Sequence, residues 1–166
     1  MHNTNFIMIP QLQFEFAIRG FSGRSLGLIR LLLKNPRVDP SDQNNAAIRV
    51  AACNGHLEVV RLLLTDSRVD PSDANNYAIQ CAAEYGHLEV VRLLLQDSRV
   101  DPSANDNKAT ISASQMKHLF VVNLLLADSR VDPSARGNEA LKRSNKPIRR
   151  LLLRHPQVAK IGRAHV

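Results

Sequence analysis

The chain has few aromatic residues and no long hydrophobic stretch. Of its 166 residues, 4% are aromatic and none is tryptophan, although 44% are hydrophobic. The core is therefore expected to consist mainly of Leu, Val, Ile and Ala side chains. No apolar run approaches the roughly 20 residues that a membrane-spanning helix needs. We therefore expect neither a membrane span nor a membrane partner.

Two further absences concern the start of the chain and its cysteines. The first ten residues lack the basic stretch of a secretory signal and carry only one apolar patch, at residues 6–9, so no signal peptide is expected. Cys53 and Cys81 are the only cysteines, and they lack the close spacing of a zinc site. We expect both to be small residues on or near a packed face. Such sparse cysteine use favours a reducing, intracellular and specifically cytoplasmic setting.

Acidic residues are scarce at the end of the chain. Up to Ala135 there are 13 Lys and Arg against 14 Asp and Glu, whereas the residues after it have nine against the single acid Glu139. A basic end of this kind can attract nucleic acid or an acidic protein surface. It can equally be the solvated outer face of a terminal repeat.

A ten-residue motif organises the rest of the sequence. Gly-His-Leu-Glu-Val-Val-Arg-Leu-Leu-Leu occupies residues 55–64 and 86–95, and an altered copy occupies residues 117–126. The pentapeptide Arg-Val-Asp-Pro-Ser begins at positions 37, 68, 99 and 130, a constant spacing of 31 residues. A strict period of this size is typical of a stacked array of one supersecondary unit.

Each unit is predicted to contain two helices. Ile48, Ala51 and Ala52 fall at the i, i+3, i+4 spacing of an apolar helical face, and Gly55 suits a left-handed end to that helix. The second helix, from about residue 56, has an apolar surface wide enough to be buried on more than one side. The Asp-Pro pair then favours an extended turn. Asn44 and its neighbour suit a tight turn with left-handed residues.

The sequence therefore predicts an all-α fold, an α-solenoid of stacked helix-turn-helix repeats with short extended loops. A single domain over residues 1–160 is expected, with helix pairs at residues 11–34, 45–65, 76–96, 107–127 and 138–154. Residues 161–166 fit nothing before them and resemble a translated sequencing adapter, so they are predicted to be a non-native tail. In that case the chain would be a fragment of a larger multi-repeat protein whose activity lies elsewhere.

The order of a first helix, the Gly-His-Leu-Glu-Val-Val-x-Leu-Leu-Leu helix and an extended turn resembles the ankyrin repeat over about residues 11–158. The 31-residue unit is shorter than the roughly 33 residues usual in that family. The family's Thr-Pro-Leu-His signature is replaced by Ala46-Ala-Ile-Arg49, Tyr77-Ala-Ile-Gln80 and Lys108-Ala-Thr-Ile111. We therefore expect shorter fingers and fewer polar ties between units.

This resemblance implies a non-enzymatic, monomeric scaffold that needs no cofactor and binds a protein, of unknown identity, on its concave face and loop tips. Matched by position, the candidate partner-binding residues are Asn45, Cys53, Asn54, Asn76, Tyr77, Glu84, Tyr85, Asn107, Lys108, Gln115 and Met116. Tyr77 and Tyr85 are the best single anchors, because exposed aromatic side chains tend to dominate interface energies. Tyr77 could equally pack on the neighbouring finger.

No catalytic or metal-binding motif is found. His56, His87 and His118 recur once per unit, but stacked helices lie about 8–10 Å apart, whereas each zinc ligand must approach the ion to about 2 Å. The histidines are therefore expected to support the turn before the second helix. No phosphate-binding loop, His-Glu-x-x-His motif or nucleophile elbow occurs.

The Arg-Val-Asp-Pro-Ser segments suggest a hypothesis about stacking. Arg68 and Asp70 are two residues apart in an extended segment and so point the same way, and the next unit places Arg99 and Asp101 alongside. An Arg/Asp ladder along the array would set its register. Arg99→Ala should then cost more stability than Arg61→Ala.

Overall fold

The computed structural model describes residues 10–20 and 25–158. Ten helices have their bounds within this part of the chain, and they form five consecutive pairs, here called units 1 to 5. The helices are α1 (Pro10–Arg19), α2 (Ser25–Leu33), α3 (Asp42–Cys53), α4 (Leu57–Leu63), α5 (Asp73–Glu84), α6 (Leu88–Leu94), α7 (Ala104–Gln115), α8 (Leu119–Leu126), α9 (Ala135–Arg143) and α10 (Lys146–Arg154). No residue in the described part forms a strand. The predicted all-α fold of stacked helix pairs is confirmed.

The helices form two layers. The first helices α1, α3, α5, α7 and α9 pack on one another in sequence, and the second helices α2, α4, α6, α8 and α10 do the same. One continuous hydrophobic core extends between the layers from Phe14 to Leu152. The predicted apolar face of α3 is buried there, with Ile48 at 0% exposure. Residues at the same place in successive units, 31 apart in units 2 to 4 and 27 apart between α8 and α10, are said below to share a register position.

Each first helix from α3 onward is entered through three residues with positive φ. In unit 2 these include Asn44 and Asn45, with φ values of 57° and 55°, and Asn75 and Asn76 repeat them at 58° and 62°. Asn tolerates this left-handed conformation because its short polar side chain can bond locally. The predicted left-handed turn at the paired asparagines is confirmed.

The asparagine that ends each turn ties its unit to the next. Asn45 Oδ1 accepts a hydrogen bond from the backbone N–H of Asp70 at 2.8 Å. Asn76 and Asn107 repeat this bond in the following units. Fewer polar ties between units were expected because the Thr and His of the family signature are missing. That expectation did not include this hydrogen bond. The asparagine carboxamide connects the units in every internal repeat.

Arginine provides a second tie, and it differs from the predicted Arg/Asp ladder. Arg99 Nη1 donates to the backbone carbonyl of Val69 in the preceding unit at 2.8 Å, and Arg68 and Arg130 make the equivalent bond. The carboxylate partner of Arg99 is Asp97 of its own turn, at 2.7 Å. The arginine therefore donates a hydrogen bond to a backbone carbonyl across the interface between units. The carboxylate that orients its guanidinium group belongs to the same turn as the arginine.

Histidine provides a third tie. His87 Nε2 lies 3.0 Å from the carbonyl oxygen of Cys53, and His118 Nε2 lies 3.0 Å from that of Glu84. A Cβ atom built on Gly55 would lie 2.5 Å from His87 Nδ1, so the glycine leaves room for the imidazole of the next unit. These histidine side chains thus connect neighbouring units, whereas neither makes a capping hydrogen bond to its own helix. Within the described ranges, no group of three or more His, Cys, Asp and Glu side chains could hold a metal ion.

The two cysteines form a disulfide that was not predicted from the sequence. Cys53 at the end of α3 is bonded to Cys81 in α5, with the Cα atoms 5.0 Å apart. That separation lies within the usual range for a bridged pair. The expected position on or near a packed face agrees with the burial of Cys81, but the pairing was missed, because the stacking of α5 on α3 brings two different register positions together. Of the helices that the structure describes, none is long and apolar enough to cross a bilayer.

Candidate functional site

Two exposed large side chains of the first-helix layer, Tyr85 and Met116, lie in a short row at the ends of the helices. Asn54, Tyr85 and Met116 occupy one register position, directly after α3, α5 and α7. The side chains of Tyr85 and Met116 are 57% and 49% exposed. We call these three residues the C-cap row. Because each helix stops at this position, the side chains project beyond the packed helices.

Tyr77 lies at the opposite end of α5 and contacts the preceding unit. The guanidinium carbon of Arg49 lies 5.7 Å from the centre of its ring, and Arg49 Nη2 also donates to the backbone carbonyl of Gln43 at 2.8 Å. Tyr77 nevertheless remains 45% exposed. The structure thus gives Tyr77 a packing contact on its neighbour and leaves part of the ring accessible.

Three of the candidate residues are not on the surface. Asn45, Asn76 and Asn107 are only 5%, 8% and 6% exposed, because their carboxamides bond the next unit as described above. The expectation that they are surface positions is wrong. Their recurrence at the same position in every internal unit could have indicated their burial, because a residue that repeats unchanged along an array is one that every interface between units needs.

Another register position joins neighbouring first helices. It holds Cys53, Glu84 and Gln115. Cys53 is bonded covalently to α5, and Gln115 Oε1 accepts a hydrogen bond from Arg143 Nη1 of α9 at 2.7 Å. Arg143 and the disulfide partner were missed from the sequence, because single-helix periodicity does not tell which side chains of adjacent helices meet.

Polar candidates lie next to Tyr85 and Met116 of the C-cap row, except Lys108, which shares the register position of Tyr77 at the opposite end of the first helices. Asn54 and Gln115 are exposed, and Glu84 and Lys108 are half-buried. Tyr85 also lies near the imidazole of His87, with the ring centres 6.3 Å apart. The first-helix layer therefore presents a small apolar centre with a polar rim, an arrangement suited to contact with another protein.

The fold and this surface define an array of stacked helical repeats. A sequence model of the family described as "Ankyrin repeats (3 copies)" matches residues 68–137, and one described as "Ankyrin repeat" matches residues 43–77. The chain belongs to the ankyrin-repeat family, whose repeats are general protein–protein interaction modules. No curated protein matches the chain.

Proposed function

We propose that the chain is a non-enzymatic scaffold that binds a protein partner on its first-helix layer, with Tyr85 and Met116 as the central contacts. The observation that carries this proposal is the exposure of these two large side chains at one register position of adjacent units. Tyrosine offers a large contact area at low conformational cost. Methionine adapts to irregular partner surfaces.

Tyr77 supports the proposal less strongly. Its ring packs beside Arg49, so truncating it would disturb the junction of units 2 and 3 as well as any partner contact. The polar residues Asn54 and Gln115 form the rim of the proposed surface, and Lys108 lies at the other end of the layer, at the register position of Tyr77. Rim residues contribute mainly to orientation and association rate rather than to affinity.

The experiment begins with identification of the partner. A photoreactive amino acid at position 85 would cross-link whichever protein contacts the C-cap row, and mass spectrometry would identify it. The dissociation constant of the purified partner is then measured by calorimetry for Tyr85→Ala and Met116→Ala. Each substitution should weaken binding by about 10-fold or more, as expected for interface anchors.

Leu31→Ala is the matched control, because Leu31 is 68% exposed but belongs to the second-helix layer. It should leave the dissociation constant unchanged. If Leu31→Ala weakened binding as much as Tyr85→Ala, the partner would occupy the other layer and the proposal would be wrong.

A further inference from the structure

The arginines on the outer surface of the internal second helices are neutralised by a neighbouring acid. On α4, Arg61 pairs with Glu58 at 3.7 Å, and on α6, Arg92 pairs with Glu89 at 3.4 Å. This pair is absent from the last two second helices. α8 has Phe120 and Asn123 at the two register positions, and α10 has Pro147 and Arg150; neither helix contains an acid. Arg30 of α2 likewise has no acid on its own helix, but of the described second helices only α10 carries more than one cation.

Helix α10 displays four cations in a fixed geometry. Lys146, Arg149, Arg150 and Arg154 are all exposed, and within the described residues none of them forms an ion pair. Three of them, Lys146, Arg150 and Arg154, follow an i, i+4, i+8 spacing and so line one side of the helix over about 12 Å. The helix is held in place because Ile148 and Leu152 are completely buried.

Not all of these cations are explained by a terminal repeat's need for a polar end. Arg149 shares its register position with Val122, which is 0% exposed in the internal stack, so a polar residue there makes the end of the array soluble. Arg150 and Arg154 are different. They share register positions with Arg61 and Thr65, which already face solvent in unit 2. Capping the array does not require charge at these positions.

An aromatic side chain lies on the neighbouring helix. Phe120 is 74% exposed and occupies the register position of Glu58 and Glu89 on α8, which packs beside α10. An exposed phenylalanine gains nothing from burial in the core, but its ring offers a surface on which a nucleic-acid base can stack. The guanidinium groups of α10, the helix that packs against α8, match the geometry of phosphate.

We propose that the outer surface of α8 and α10 binds single-stranded nucleic acid. Lys146, Arg149, Arg150 and Arg154 contact phosphates, and Phe120 stacks on a base. An acidic peptide would be attracted by the same cations, but it would have no base to stack on Phe120. This surface belongs to the second-helix layer, so it is independent of the protein-binding surface proposed above.

The test measures the anisotropy of a fluorescent oligothymidine of about 20 nucleotides at 50 and 200 mM NaCl. For single strands, the logarithm of affinity falls by about 0.7 per phosphate contact for each tenfold rise in salt. Four contacts therefore predict an affinity loss of about 50-fold between the two salt concentrations. Arg150→Gln/Arg154→Gln removes two contacts, which should reduce this loss to about 7-fold and weaken binding at 50 mM.

The matched control is Arg61→Gln/Arg92→Gln, which removes two exposed arginines that already have carboxylate partners. It should keep the salt dependence and the affinity of the original chain. Phe120→Ala should weaken binding about fivefold or more at either salt concentration, because stacking on an aromatic side chain contributes about 1–3 kcal/mol per base. All variants keep Lys160 and Arg163, which lie outside the described residues, so their contribution cancels.

Three results would overturn the proposal. One is an equal effect of the two double substitutions. Another is an unchanged affinity of Phe120→Ala, which would leave no role for a base. The third is tighter binding of a fluorescent poly-glutamate peptide of similar length and charge, which would assign the surface to an acidic protein. Unfolding temperatures of all variants, measured by circular dichroism, should match because the substituted side chains are exposed.

Discussion

At the scale of single residues, the close contact between a glycine and the histidine of the next unit determines which side chain can occupy the glycine position. Gly55 and Gly86 both have positive φ, at 71° and 78°, and both lie directly against the next unit's imidazole. Lys117 shares this register position and has a φ of 69°. The register position of His118 is held by Asn145 in unit 5. The lysine is thus accommodated because the histidine is missing.

Two substitutions at this position should have opposite effects. Gly86→Ala should lower the free energy of unfolding by about 2 kcal/mol or more, because the left-handed backbone is unfavourable for alanine and the new Cβ would lie 2.5 Å from His118 Nδ1. Lys117→Gly should raise it by about 1 kcal/mol, because the same backbone strain is removed. Urea denaturation measures both. Loss of stability in Lys117→Gly would show that the lysine side chain has a supporting contact.

The asparagines illustrate how far single residues could be predicted. Their left-handed turn followed from the residue type, and it is confirmed at Asn44 and Asn76. Their side-chain partner did not follow, because the hydrogen bond to Asp101 joins residues 25 apart through the stacking of two units. The resemblance to a family placed them on a binding surface, whereas their recurrence in every internal unit indicates a structural role.

At the scale of elements, the turn before each first helix is locked onto the preceding unit by its arginine. Arg99 donates a partly buried hydrogen bond to the backbone carbonyl of Val69. The carboxylate of Asp97 accepts two further hydrogen bonds from the same guanidinium group. Arg61 bonds only its exposed neighbour Glu58. In the sequence, Arg61 and Arg99 look alike, since each is a single cation in its segment. In the structure, only Arg99 connects two units.

Arg99→Ala should therefore lower the free energy of unfolding by about 1.5–3 kcal/mol, the usual range for a hydrogen bond to a charged group. Arg61→Ala should lower it by no more than about 1 kcal/mol, as is typical of a surface ion pair. Thermal and urea unfolding of the two variants compare them directly. Equal losses would mean that the contact with Val69 contributes nothing to stacking.

Helix content and pairing were predictable from the sequence because both depend on spacing along the chain. The apolar spacing of Ile48, Ala51 and Ala52 and the constant 31-residue period fixed the helices and their repetition. The disulfide was not predictable in this way. It joins the last residue of α3 to the middle of α5, and which residues meet there depends on how far one helix is displaced along its neighbour.

At the scale of the whole molecule, repetition multiplies a small electrostatic effect. Hydrogen bonds from Arg68, Arg99 and Arg130 hold the pKa values of three aspartates below the usual value of 3.8. The aspartates are Asp66, Asp97 and Asp128. Burial lowers the pKa of His56 from its usual 6.5, and the nearby His87 adds to this shift.

These shifts predict that stability falls in two stages as the pH is lowered. A lowered pKa means that the unfolded chain binds protons more readily than the folded one, so the contribution is complete above the unfolded pKa and is lost as the pH falls through the folded pKa. The His56 contribution should decline below about pH 6.5 and the three aspartate contributions below about pH 3.8. Urea midpoints measured from pH 7 to pH 3 test both stages.

Matched variants assign the two stages to their residues. His56→Gln should remove the first stage and leave the second. Asp97→Asn should reduce the second stage without removing it, because the two equivalent turns keep their aspartates, Asp39, Asp73 and Glu139 also have lowered pKa values, and each unit contacts only its neighbours. A second stage that is unchanged in Asp97→Asn would show that acid unfolding starts at other carboxylates. In that case the arginine ties between units would persist after their aspartates are protonated.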